Sequence, residues 1–66
     1  MNLDAMTYED LRSFSKDKKQ PEALRNYAVL KRGAIKFREI GSISQALNLE
    51  ERLERHYENL PTALQW

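Results

Sequence analysis

Residues 21–61 read PEALRNYAVLKRGAIKFREIGSISQALNLEERLERHYENLP and carry the pattern that decides the fold. Apolar side chains recur at spacings of three and four, first over residues 23–37 and again over 46–60, as one face of an α-helix requires. Proline is favoured in the first turn of a helix and glycine just after the last. Pro21 and Gly41 therefore predict a helix that runs to about Ile40, and Pro61 ends the next one.

The start of this next helix is predicted at Ser42. Gln45 follows three residues later, which is the spacing of a capping box. Ser44 is an alternative cap, and loss of the true cap should cost about 0.5–2 kcal/mol. Gly33 lies within the preceding helix. Either it marks a close helix crossing, or glycine is merely tolerated at this position.

A shorter helix is predicted before the hairpin. Thr7 and Asp10 form a second capping box, and Met6 and Leu11 occupy the positions of a hydrophobic staple. Leu11 and Phe14 give this helix a short apolar face. It should fade over residues 15–17, and residues 16–20 read as a polar loop. The predicted fold is therefore all-α: a short first helix packed on a long antiparallel helical hairpin, with three helices per chain.

Length and composition limit how such a chain can be stabilised. Sixty-six residues form one helical domain, with residues 1–6 expected to be a loose N-terminus and 62–66 a tail. A domain this small buries little surface, and without cysteine it has no disulfide. Regular helix packing and self-association remain as sources of stability, and a second copy would complete a four-helix bundle core. Leu64 and Trp66 should fold back onto the helices or onto a partner.

Several functional classes are disfavoured by the residues present. The chain has one histidine, His56, and lacks a nucleophile triad or a phosphate loop, so we expect neither an enzyme nor a metal or cofactor site. No apolar run approaches the roughly 20 residues of a membrane span, and the first residues do not resemble a signal peptide, which predicts a cytoplasmic protein. Nucleic-acid binding is the least favoured alternative, because the third helix carries four glutamates.

Charge is unevenly distributed along the chain. Residues 1–41 hold nine basic and six acidic side chains, a net charge of +3, whereas residues 42–66 hold two and four, a net charge of −2. Lys31 and Arg38 lie within the apolar arc of the second helix, so they need partners. Three arrangements are open: pairing within the chain, Lys31 with Glu54 and Arg38 with Glu50; pairing across a dimer; or binding of an anion.

Residues 30–47 resemble one tetratricopeptide repeat. The resemblance rests on Leu30-x3-Ala34-x2-Phe37-x3-Gly41-x-Ile43-x2-Ala46-Leu47. It departs from the repeat pattern at Glu50, where an aromatic residue is usual, and at Pro61, which comes about three residues late. It implies only an antiparallel helical hairpin, as in three-helix modules such as the microtubule-interacting-and-trafficking domain, which bind short helical peptides.

A second resemblance covers the whole run from Leu24-Arg25-x-Tyr27-Ala28 to Tyr57-x2-Leu60-Pro61-x2-Leu64-x-Trp66. It is similar to small uncharacterised helical proteins of cyanobacteria, and it implies no site or activity. From the residues we expect a small non-catalytic protein–protein interaction or regulatory protein; the alternative is a self-assembling structural homodimer with no other partner. The predicted contact residues of a homodimer or of an unknown protein partner are Leu30, Lys31, Ala34, Phe37, Arg38, Leu53, Tyr57 and Trp66.

Overall fold

A computed structural model describes residues 2–66 and is helical throughout its regular elements. Three α-helices follow one another: α1 (Tyr8–Lys16), α2 (Glu22–Glu39) and α3 (Ile43–Glu58). A 3-10 turn at Leu3–Ala5 precedes them, and another at Thr62–Leu64 follows. α2 is the central element, because α3 packs against it as an antiparallel hairpin and α1 packs against it separately. The predicted fold class is confirmed.

The start of α1 matches the sequence pattern in detail. The Thr7 hydroxyl accepts a hydrogen bond from the Asp10 amide at 3.2 Å, and the Asp10 carboxylate accepts one from the Thr7 amide at 3.4 Å. Leu11 and Phe14 are buried, and Met6 packs against the core to which they belong. The capping box therefore holds α1 so that its short apolar face meets α2.

Gly41 closes the hairpin through its backbone conformation. Its φ of +81° lies in the left-handed region that glycine adopts without steric cost. The Gly41 amide donates to the Arg38 carbonyl at 3.2 Å, and the Ser42 amide donates to the Phe37 carbonyl at 2.8 Å. This pair of bonds is a Schellman motif, which satisfies the last carbonyls of α2 and reverses the chain.

The start of α3 differs from the prediction in one respect. Ser42 is the N-cap residue, as predicted, but its side chain makes no capping hydrogen bond. Its ψ of 70° differs from the ψ of 168° at Thr7, where the side-chain bond does form. The Ser42 backbone serves both helices: its amide donates to the Phe37 carbonyl in the Schellman motif, and its carbonyl accepts from the Ala46 amide at 3.0 Å. The amide is therefore not free for the reciprocal bond to the Gln45 side chain that a capping box requires.

Gly33 lies where α2 and α3 approach each other. A Cβ atom built on this residue would stand 3.0 Å from the Leu49 Cδ1 atom. Of the two explanations that the sequence left open, this contact favours close packing of α3 against α2 at Gly33. The core extends from this crossing towards α1 and the C-terminal tail, and its buried members are Leu3, Leu11, Phe14, Leu24, Tyr27, Ala28, Ala34, Leu53 and Leu60.

The two predicted caps should differ in their effect on stability. We expect Thr7→Ala to lower the free energy of unfolding by about 1 kcal/mol, the usual cost of losing an N-cap hydrogen bond. Ser42→Ala should change it by less than about 0.5 kcal/mol, as for surface substitutions that remove no such bond. Urea denaturation followed by circular dichroism measures both. Equal losses for the two variants would contradict the assignment of the caps.

Candidate functional site

The Asp4 carboxylate joins the two ends of the described chain to α2. Its Oδ1 atom accepts a hydrogen bond from the Tyr27 hydroxyl at 2.7 Å and lies 3.5 Å from the Lys31 Nζ atom. Its Oδ2 atom accepts a hydrogen bond from the Trp66 indole N–H at 3.1 Å. Tyr27 and Lys31 are four residues apart, so both side chains leave the same face of α2 and reach one carboxylate.

Trp66 is held by aromatic contacts as well as by Asp4. Its ring meets the rings of Tyr27 and Tyr57 edge-on, with centroids 4.8 Å apart in both pairs. The Tyr57 hydroxyl donates to the main-chain oxygen of Trp66, and Gln65 donates to the carbonyls of Tyr57 and Leu60. Edge-to-face pairs of this kind contribute about 0.5–1.5 kcal/mol each. The predicted folding back of the tail is therefore confirmed, and it occurs within the chain.

These residues form one wall of a groove, and we call Asp4, Tyr27, Lys31, Tyr57 and Trp66 the terminal cluster. The groove has a volume of about 510 Å³. Side chains of α3 complete its lining: Glu50, Leu53 and Glu54. Its lining combines aromatic and apolar side chains with charged ones of both signs.

Hydrogen bonds and charge shift the pKa of Asp4. Partial burial acts to raise it, but the hydrogen bonds from Tyr27 and Trp66 and the charge of Lys31 outweigh that effect, so the pKa lies below its ordinary value. Burial and the neighbouring carboxylate raise the pKa of Tyr27. Asp4 is therefore ionised and Tyr27 neutral at neutral pH, which is the state that their hydrogen bond requires.

The two basic residues in the apolar arc of α2 both pair within the chain. Arg38 binds Glu50 through two parallel hydrogen bonds, one of them 2.7 Å from Nη2 to Oε1, and this predicted pair is confirmed. Lys31 pairs with Asp4 rather than with Glu54, although Glu54 lines the same groove. The reason is that Tyr27 already fixes the Asp4 carboxylate one turn away from Lys31.

The eight predicted contact residues occupy three environments. The groove lining includes four of them: Lys31, Leu53, Tyr57 and Trp66. Ala34 and Leu53 are only 3% and 4% exposed, because they pack in the core of their own chain. Leu30 and Phe37 are half-buried, and Arg38 is exposed and paired with Glu50.

Two residues have roles that the sequence pattern did not reveal. Asp4 lies in the segment expected to be loose, yet Leu3 beside it is fully buried and residues 3–5 form a 3-10 turn. His56, from which the sequence predicts no metal or catalytic site, is half-buried, and its Nε2 atom donates to the Ala23 carbonyl at 2.9 Å. For the turn at Asp4 the one sequence signal was Asn2, a cap residue whose side chain accepts a hydrogen bond from the Asp4 amide.

A distinct apolar surface lies at the turn between α2 and α3. The described residues include four large apolar side chains that are exposed: Ile40 by 60%, Leu47 by 54%, Ile43 by 46% and Val29 by 45%. Ile40 and Ile43 flank the Gly41 turn, Leu47 lies one helical turn further along α3, and we call these three residues the hairpin end. Ile43 and Leu47 are one helical turn apart and share a face of α3. Val29 stands alone in the first half of α2.

Acid should release Trp66 from the terminal cluster. Because the pKa of Asp4 is lowered by folding, the stabilisation is present above its ordinary value near 3.8 and is lost as pH falls through the lower, folded value. Trp66 is the only tryptophan, so its fluorescence reports this site alone. We expect an emission change with a midpoint below pH 3.8 that Asp4→Asn abolishes.

Glu50→Gln is the matched control for this titration. In the native chain, hydrogen bonds from Arg38 lower the pKa of Glu50. Glu50 lines the same groove but makes no hydrogen bond to Trp66. The variant should keep the acid transition of the fluorescence. Helix content followed at 222 nm separates release of Trp66 from global unfolding. A fluorescence transition that survives in Asp4→Asn would show that another group controls it.

Further observations bear on the class of protein. Among residues 2–66, no helix combines the length and the apolar character needed to cross a membrane. Nor does this part of the chain bring together three His, Cys, Asp or Glu side chains in a group that could hold a metal ion. Comparison of the chain with protein-family models, with curated proteins and with solved structures finds no match in any of the three.

Proposed function

We propose that this chain is a small non-catalytic protein–protein interaction or regulatory protein of the cytoplasm, and that the hairpin end is its contact surface. The observation that carries the proposal is the clustering of Ile40, Ile43 and Leu47, each about half exposed, around one turn. Single exposed apolar residues are ordinary on a protein surface, whereas several grouped together are typical of a contact site.

The lengths of the helices explain why these side chains are exposed. α1 has 9 residues and α2 has 18, so at 1.5 Å per residue they span about 14 and 27 Å. Residues 17–21 connect the end of α1 to the start of α2, which sets α1 beside the first half of α2. The second half of α2 and the first half of α3 therefore form a hairpin that no third α-helix of residues 2–66 covers.

The groove beside the terminal cluster supports the proposal less strongly. Its aromatic side chains already contact one another, and Asp4 and Glu50 already have hydrogen-bond donors within the chain. A partner that entered the groove would have to compete with these contacts. The hairpin end carries no such cost, because its apolar side chains lose only water when they are covered.

Removal of the apolar side chains at the hairpin end should abolish binding of protein partners. We expect proteins that are crosslinked to the native chain in its host cells to be lost with the double variant Ile43→Ser, Leu47→Ser. Val29→Ser is the matched control, because it removes a comparably exposed apolar side chain away from the turn. Quantitative mass spectrometry of the crosslinked proteins measures the difference.

Both variants change only exposed positions, so both should fold, and circular dichroism checks this. If the double variant and Val29→Ser retain the same crosslinked proteins in the same amounts, the hairpin end is not the contact surface. Retention of the proteins by the double variant together with their loss in Trp66→Ala would instead identify the groove as the contact surface.

A further inference from the structure

A second groove lies along the hairpin, and we call it the basic groove. It has a volume of about 400 Å³, and it is lined by Leu30 from α2 and by Arg52, Arg55, His56 and Asn59 from α3. We infer that the basic groove binds small molecules that carry a phosphate group, which Arg52 and Arg55 hold beside His56. None of these residues belongs to the hairpin end, so the inferred site is independent of the proposed function.

The charged side chains of α3 are divided between two faces of the helix. The residues that α3 supplies to the basic groove lie three, four and seven positions after Arg52, so they share one face. Glu50 and Glu54 line the groove beside the terminal cluster instead. Among residues 2–66, no Asp or Glu belongs to the lining of the basic groove. One face of α3 is therefore suited to an anion, although the helix as a whole has more acidic than basic side chains.

Both arginines are available to a ligand. Arg52 is exposed and forms no ion pair with any carboxylate of the described chain. Arg55 lies 3.6 Å from a carboxylate oxygen of Glu51, but the two side chains are 66% and 69% exposed. Ion pairs this exposed contribute little to stability. An anion that engages Arg55 therefore competes only with a weak contact.

His56 and Asn59 are held in place by hydrogen bonds that leave part of each side chain over. The Nε2 atom of His56 donates to the Ala23 carbonyl at 2.9 Å, so Nδ1 is the ring nitrogen that remains for a ligand. The Nδ2 atom of Asn59 donates to the Arg55 carbonyl at 3.0 Å, which uses one of its two N–H groups. The groove thus combines two adaptable arginines with two side chains that the fold already orients.

The donors present suit a phosphate group better than a carboxylate. A guanidinium group presents paired N–H donors whose spacing matches two oxygens of one phosphate. A phosphate ester carries a charge of about −1.5 to −2 at neutral pH and three acceptor oxygens, so it can satisfy two arginines at once. A carboxylate has one charge and two oxygens. Leu30 supplies apolar surface for the organic part of the ligand.

The size of the groove indicates a small ligand. A volume of about 400 Å³ lies within the range of about 300–1,000 Å³ that is usual for small-molecule sites. Proteins that bind nucleic acids neutralise many phosphates along an extended surface. Two arginines in one groove are too few for such a surface, which favours a single phosphate group as the ligand.

NMR titration of the full chain with glycerol 3-phosphate at constant ionic strength tests the inference. The amide shifts that change should concentrate in residues 52–59, together with the ring protons of His56, and be absent around Asp4. We expect a dissociation constant on the order of 1 mM, as for a few charge-assisted hydrogen bonds on an open surface. Inorganic phosphate should give the same pattern, and sodium chloride should not. The absence of a saturable change up to about 50 mM would overturn the inference.

The double variant Arg52→Gln, Arg55→Gln should weaken binding of glycerol 3-phosphate at least tenfold, because it removes both charged donors. Arg12→Gln is the matched control, since Arg12 is also exposed but lies on α1 and outside the groove. It should leave the dissociation constant within about twofold, because salt screens exposed charges that do not touch the ligand. Both variants change exposed positions, and circular dichroism checks that they fold. A loss with Arg12→Gln in proportion to its single charge would show that net charge rather than the groove attracts phosphate.

Two further ligands distinguish the sources of the phosphate group. Vesicles of phosphatidylcholine with phosphatidic acid present it at a lipid surface, and a short DNA duplex presents it in a polymer. Binding of glycerol 3-phosphate without sedimentation on the vesicles or a shift of the duplex supports a small soluble ligand. Binding to vesicles or duplex but not to glycerol 3-phosphate would overturn the inference and assign the basic groove to a membrane surface or to a nucleic acid.

Discussion

The structure depends on a mismatch in length between α1 and the hairpin against which it packs. A 9-residue helix cannot cover an 18-residue one, so the hairpin is three helices thick near the chain ends and two helices thick near Gly41. At the thick end the buried side chains form one core around Leu11, Phe14 and Leu24. At the thin end Ala46 is buried, but the larger side chains of Ile40, Ile43 and Leu47 stay about half exposed.

The thick end is completed by the two terminal segments rather than by a fourth helix. The 3-10 turn at Leu3–Ala5 and the tail ending at Trp66 both pack on α2, and Asp4 connects them by hydrogen bonds to Tyr27 and Trp66. In a chain without cysteine, such polar contacts and edge-on aromatic contacts restrain the ends where a disulfide otherwise would. The cluster is partly exposed, so its charged contribution is modest and its aromatic packing carries more of the stabilisation.

Most of the fold could be predicted from the sequence because its determinants are local. The Thr7 capping box, the apolar spacing and the positions of Pro21 and Gly41 act within a few residues, and they located the ends of α1 and α2 and the start of α3 within one or two residues. α3 ends at Glu58, three residues before Pro61. Ser42 shows the limit of such signals, since its residue type suits a cap but its side chain makes no capping bond and its amide is used by the Schellman motif.

The terminal cluster could be predicted only in part, because its contacts are distant in sequence. Trp66 was expected to fold back for its apolar surface alone, but nothing near Asp4 in the sequence indicates its partners at Tyr27 and Lys31. The Arg38–Glu50 pair was predictable because a tight turn fixes which residues of two antiparallel helices lie opposite each other. The Lys31–Asp4 pair was not, since the loop at 17–21 and α1 lie between the two residues.

The hydrogen bond between Asp4 and Trp66 has a consequence for the order in which the chain folds. It joins residues 62 positions apart, whereas the Arg38–Glu50 pair joins residues only 12 apart. Closing a longer loop costs more entropy, and contacts between distant residues form later when local ones can form first. We expect the hairpin to form early and the indole to reach Asp4 in the final step, so that stopped-flow fluorescence of Trp66 would lag behind the growth of helical ellipticity.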